Sequence, residues 1–482
     1  MLKTDTARLA ATLGHNPVIG SARDTAAGVI WAEGADGGHR LAVARQEGDG
    51  HAVERRPLDA ARLRALLPNL VPVPLGRGAS AGFGDRLGLA TPGHADALRA
   101  CGADGNIGAI FAQQSMRENA RTGRTPAGVL DDATVGAFLC GWTHPVGADA
   151  DHLKSTDDID LCLAAGYSFF TVDPGDHVIS QADTLSGPEL AEAFAQRVPW
   201  ERLETTPTEL RAALGSLDTT LDGVRIAFTE GDLERAAVKY GGAVAHVVEM
   251  ARHLASSADR EVELEVSVDE TATPTTLAEH WYVASELSRL GVDWVSLAPR
   301  FVGDFEKGVD YKGDLTALAG DLRGHALIAA EFGGYKLSLH SGSDKFTVYP
   351  IADQVSFGRV HLKTAGTSYL EALRVVGTYR PELLREIAVL ARESFEEEVK
   401  TYLISGSVEG MPDPAALPGS GIAGLLDQLD ARQVLHVTFG SALRKHGAEI
   451  NAVLTEHADA YRAALRRHFE RHLAPFAARS AA

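Results

Sequence analysis

Cysteine is scarce in this chain. Its 482 residues contain three, Cys101, Cys140 and Cys162, and no CxxC pair, so a disulfide framework has nothing to rest on. Positive charge is also in deficit. Lys and Arg number 46 against 65 Asp and Glu, a formal net charge of −19. That balance argues against binding a nucleic-acid backbone or an anionic lipid surface. A local group of cations can still receive an anionic small molecule. No apolar run of about 18 residues occurs, so no membrane span is expected. The opening MLKTDTARLAATLG is broken by polar and acidic residues and lacks the apolar core of a signal peptide. The expectation is a cytoplasmic protein. No GxGxxG follows an early strand, and no Walker-A pattern is present. Dinucleotide and nucleotide readings therefore lack direct support.

Hydrophobic residues make up 45% of the chain, enough for a large core. Residues 1–75 differ from the rest. GVIWAEG and HRLAVARQ alternate like two strands of a hairpin, and DAARLRALLPNL reads as a short helix. VPVPLGRG reads as a linker because of Pro72 and Pro74. Together these predict a small N-terminal α+β unit. From 76 to 482 short apolar segments alternate with helical patterns. The strand candidates are Ala81–Gly84, Gly136–Gly141, Ser168–Asp173, Val262–Asp269, Asp293–Ala298, Lys336–His340, Arg359–Lys363 and Val434–Phe439. Eight such units predict a parallel (β/α)8 TIM-like barrel; a doubly wound sheet is the weaker alternative. Insertions are expected near 180–222 and 375–432, as lids or subunit contacts.

In such a barrel the chemistry gathers at the C-terminal ends of the strands. In VELEVSVDE, the residues Glu263, Glu265, Ser267 and Asp269 share one face by alternation. A carboxylate buried there needs a cation, a metal or a proton donor. A structural ion pair with a neighbouring-strand lysine such as Lys336 is the alternative reading of Glu265. In KLSLHSGSDKF, Lys336, Ser338 and His340 point away from Leu337 and Leu339, and RVHLK places His361 and Lys363 likewise. His436 of VLHVTFG completes three histidines expected on one side of three consecutive strands, which suggests a metal. GADADHLKS packs Asp149, Asp151, His152 and Lys154 together, although a helix start with acidic capping residues fits the same letters. FTVDPGDHV supplies Asp173, where a plain turn is the alternative. Arg86, Arg117, Arg121 and Arg124 would suit a carboxylate or phosphate.

Long segments of the chain resemble the tagaturonate epimerase family: GFGDRLGLATPGH, FAQQSMRENARTGRTP, GADADHLK, FTVDPGDHV, EVSVDET, HWYVASELSRLGVDWVSLAPRFVGDFEKGVDY and KLSLHSGSDKF. The resemblance runs from about residue 80 to the C-terminus. It implies a divalent-metal enzyme that interconverts tagaturonate and fructuronate, and relatives in this group also act on neutral ketohexoses. It further implies Asp151 as base, Glu265 as its acid partner, and His152 and His340 as metal ligands. Glu306 of GDFEKG is a candidate ligand standing where some relatives have Gln. His361 is the alternative third ligand on strand alternation alone. Arg86, Lys336, Lys345 and Asp173 are the candidates for contacting the substrate. Zinc, manganese, nickel and cobalt all suit a His/carboxylate site. The competing readings are a metal-dependent aldolase or ketose isomerase, and a non-catalytic sugar-acid-binding protein.

Overall fold

Short apolar segments fit a sheet covered on both faces, and eight of them, three to eight residues long, pair. The computed structural model describes residues 3–477, apart from 15, 16, 19, 36, 37, 48 and 230. Its parallel strands are Ser80–Gly82, Gly108–Ser115, Val146–Leu153, Phe169–Val172, Glu263–Val268, Ser296–Pro299, Lys336–Leu339 and Val360–Lys363, the first to eighth barrel strands below. They close into a barrel in chain order. Every residue of the fourth to eighth strands is buried. The polar members of the fifth strand are therefore inside a covered sheet rather than in water. Glu265 is in register with Thr171 on one side and Ser296 on the other. Ser338 pairs with His361, and His361 with Ser80.

Two of the expected strands are helical. Gly136–Gly141 begins inside the helix Pro126–Leu139, and Val434–Phe439 falls on the helices Leu429–Val437 and Phe439–Glu456. Both are short apolar runs with most of their residues buried, and Val434, Leu435, His436 and Val437 are all buried. Over so short a window a covered helix and a covered strand look alike. The strands that take their places in the barrel are Gly108–Ser115 and Val146–Leu153. The second carries Asp149 and Asp151 within the strand, where aspartate is normally depleted. His436 is accordingly on a helix, and two inward histidines remain of the three expected, His340 and His361.

The chain packs as two compact units. One comprises 1–73, 83–148 and 365–477. Within it, the helix Lys3–Leu13 covers an antiparallel four-stranded sheet of Arg23–Thr25, Gly28–Ala35, Gly38–Glu47 and Gly50–Pro57. Ala10, Val29, Trp31, Ala42 and Ala44 form the core between them. The other unit comprises 74–82 and 149–364. Its inserted segment holds the helices Gly187–Arg197 and Pro207–Leu214 and a hairpin of Asp218–Leu221 with Val224–Ala227. Among the described residues, no helix is long and apolar enough to cross a membrane.

Candidate active site

The third barrel strand departs from the pleat where it matters. Its register with the fourth strand shifts between Ala150 and Leu153, a β-bulge, and His152 takes a left-handed φ of 55°. A bulge inserts an extra residue and re-aims the side chains around it. Alternation alone would put Asp151 and His152 on opposite faces. Here they turn toward each other, with His152 Nδ1 2.8 Å from Asp151 Oδ1. Immediately after the strand, Ser155 and Asp158 form a capping box that starts the helix Thr156–Ala165. The box satisfies backbone donors at both ends of the turn and anchors the segment next to the bulge.

The fifth and seventh strands deliver the remaining groups. Glu265 is fully buried, while Asp269 follows the fifth strand and His340 the seventh. His340 Nε2 lies 2.8 Å from Glu265 Oε1, and its Nδ1 lies 3.2 Å from Asp269 Oδ1. The rings of His152 and His340 are 5.1 Å apart. One ligand atom each from His152, Asp269 and His340 falls within 4.8 Å of the others. Beneath this cluster Lys363, from the eighth strand, meets Asp151 at 2.6 Å, Glu265 at 2.9 Å and Asp149 at 3.0 Å.

Charge explains the protonation of these groups. Burial pushes the Asp151 carboxyl up, but His152 and Lys363 overcome it and hold it well below the usual carboxylate range. Glu265 is treated the same way by Lys363 and His340. Burial also disfavours a charged His340, yet Asp269 and Glu265 raise it to about 10. His152 is raised by Asp151 against burial. The carboxylates thus favour positive charge at the two imidazoles, carried by protons in the absence of a metal. Two imidazole nitrogens and a carboxylate oxygen converging in an acidic setting fit a divalent transition-metal ion, which would replace those protons. Glu265 Oε2 is buried without a hydrogen-bond partner among the described residues. A buried carboxylate oxygen left open in this way is costly and is a place for an incoming donor.

The structure gathers some of the expected residues and separates others. Asp151, His152, Glu265 and His340 come together. Asp173 sits just past the fourth strand, buried, with its carboxylate accepting from Gly175 N and within electrostatic reach of His152. Glu306 and His361 are outside the three-residue ligand cluster. Glu306 pairs with Lys312 at 2.9 Å, and His361 Nδ1 is 2.9 Å from Ser80 Oγ. Lys336 starts the seventh strand, at the end opposite His340, and donates to Gly76 O and Ser80 Oγ. Lys345 is fully buried and donates to three backbone carbonyls, those of Glu306, Val309 and Ser343. Arg86 is ion-paired to Glu118 and stacked 3.6 Å over the Phe439 ring. These three cations therefore have their partners within the fold. Asp269 and Lys363 were missed as site residues. Alternation already placed both on the inward face; what it could not show is that the inward acids share one cation.

A family model described as tagaturonate epimerase matches residues 39–476. A tagaturonate/fructuronate epimerase of Thermotoga maritima is 42% identical over 413 residues, covering 85% of this chain and 83% of the relative. The native crystal structure of a fructuronate-tagaturonate epimerase from Cohnella laeviribosi is similar with a TM-score of 0.88 and 34% identity, covering 98% of each chain. A second structure of that enzyme, with one glycerol bound, has the same TM-score and identity and covers 98% of this chain and 99% of its own.

Proposed function

Because this chain belongs to the tagaturonate epimerase family and is a carbohydrate epimerase, we propose that it interconverts D-tagaturonate and D-fructuronate with the aid of a divalent metal. The observation that carries the reading is the pairing of two carboxylates with two imidazoles. Asp151 bonds His152 and Glu265 bonds His340, so proton-transfer groups and ligand groups stand side by side. His152, Asp269 and His340 are the residues that would hold the ion. When bound, it supplies Lewis acidity toward a ketone oxygen.

The substrates are 5-ketohexonates that differ at C3. That carbon is β to the ketone, so its hydrogen is not acidic, and enolisation would scramble C4 instead. Opening the C3–C4 bond by retro-aldol avoids the difficulty. Asp151 takes the C3 hydroxyl proton, the bonding pair moves toward the C5 carbonyl, and an aldehyde and an enediolate result. The aldehyde presents its other face, the same electron pair re-forms the bond, and the new C3 alkoxide is reprotonated. Asp151 and Glu265 are ionised at rest, so a single proton, the one the substrate brings, is held by the pair during rotation.

The test is to strip the protein with chelator, restore single divalent metals, and follow both sugar acids by NMR. Interconversion that depends on added metal is expected. Deuterium at C3 should give no primary isotope effect, since that C–H bond never breaks; a primary effect would overturn the retro-aldol route. Turnover of fructose and tagatose but not of the uronates would move the substrate to the neutral ketohexoses.

A further inference from the structure

Asp151 and Glu265 stand on the third and fifth barrel strands, with the fourth between them. Sheet hydrogen bonds fix each strand against its neighbour and leave the separation of these two carboxylates to side chains. Lys363 spans the gap, and Thr171, on the strand between, braces Glu265 and the ammonium itself. Thr171, on the fourth strand, places its hydroxyl 2.9 Å from Asp149 Oδ1 and 3.2 Å from Glu265 Oε1. Lys363 reaches across from the eighth strand, and its Nζ also contacts Thr171 Oγ1 at 2.6 Å. With the three carboxylates described above, that ammonium offers three N–H donors to four oxygens. Its side chain is only 3% exposed. A counter-ion needed for folding alone could sit on any one of these acids. This one sits on the two that go on to bond the cluster's imidazoles.

We propose that Lys363, assisted by Thr171, is the positioning residue of the reaction, holding Asp151 and Glu265 at one spacing so that the pair serves both faces of C3. The proposal rests on the reading that these carboxylates exchange a proton with the substrate. It also has a consequence apart from turnover. Asp151 and Glu265 orient His152 and His340, so loosening them loosens the ligand cluster. Partners of this kind typically change metal affinity by about 10–100-fold.

The experiment compares the full-length wild type with Lys363→Met, Thr171→Val and Thr171→Ser. Thr171→Val keeps the side-chain shape and removes the bridging hydroxyl; Thr171→Ser restores it. Steady-state interconversion is measured by NMR, and Mn²⁺ affinity by equilibrium dialysis. Misplacement of reacting groups can cost about 10²-fold in rate. We expect Lys363→Met to lose about that much in kcat and Thr171→Val about a tenth of it, with KM little changed. Mn²⁺ binding should weaken in both and recover in Thr171→Ser. If Lys363→Met does not fold, the Thr171 pair decides. An active wild type whose Thr171→Val variant keeps both kcat and Mn²⁺ affinity overturns the positioning role. A wild type that interconverts neither pair of sugars takes down the functional reading, and the proposal with it.

Discussion

With His340 replaced by alanine, the purified protein is expected to carry no stoichiometric divalent metal and to turn over about 10³-fold or more slowly, while the barrel stays folded. The rate follows from the several kcal/mol that Lewis-acid stabilisation contributes, since three powers of ten correspond to about 4 kcal/mol. Metal loss follows from geometry. His340 provides one of the three ligand atoms gathered within 4.8 Å, and two remaining ligands leave an open site. Retained folding follows from what the neighbours keep. Glu265 still has Lys363 at 2.9 Å, and Asp269 still accepts the Ser267 hydroxyl. Metal content by elemental analysis, together with near-ultraviolet circular dichroism, checks both halves. Full metal occupancy in a folded His340→Ala protein would remove His340 from the ligand set.

Glu265→Gln should separate chemistry from metal binding. The substitution keeps the length and volume of a side chain with no exposure at all. It leaves His152, Asp269 and His340 in place and an amide oxygen that can still accept from His340 Nε2, so the site should still fill at saturating metal. What disappears is a carboxylate whose Oε1 is shared by Lys363, Thr171 and His340 and whose Oε2 faces no partner among the described residues. An amide cannot hold the substrate's proton, and loss of a general acid–base group costs typically about 10²-fold or more. The expected result is therefore a large fall in kcat at unchanged metal stoichiometry. A variant that keeps wild-type kcat would show that Asp151 acts without a partner.

The barrel class was readable because short apolar segments alternating with helical patterns imply a parallel sheet, and eight such units suit a closed one. Two strand positions were misread for a physical reason. VLHVTFG is buried throughout and GAFLCG largely so, and such runs carry no period that separates helix from strand. The converse error fell on VGADADHL, whose aspartates argue against a strand until Lys363 is seen to neutralise them. Within the site, alternation sufficed for Glu265, Asp269 and Lys363, because each obeys the pleat. It could not orient His152, whose direction comes from a bulge; the packing of Asp and His in GADADHLKS and the resemblance to the family pointed there instead. Lys336, Lys345 and Arg86 each have partners within the fold; a sequence shows that a cation is present and not what already surrounds it. For Lys345 that is three carbonyls from two separate stretches of chain.

The bulge at His152 has a consequence for how this protein can change. The proposed base, Asp151, and a proposed ligand, His152, are consecutive residues turned toward each other by a single peptide geometry. Deleting one residue between Ala150 and Leu153 would restore the ordinary pleat, and His152 or its successor would swing out of the barrel. A length change there removes the ligand cluster without altering the identity of any ligand. Substitutions can therefore accumulate around this turn while its residue count is held constant. A laboratory attempt to retune the metal should vary the side chains flanking the turn and leave its length alone.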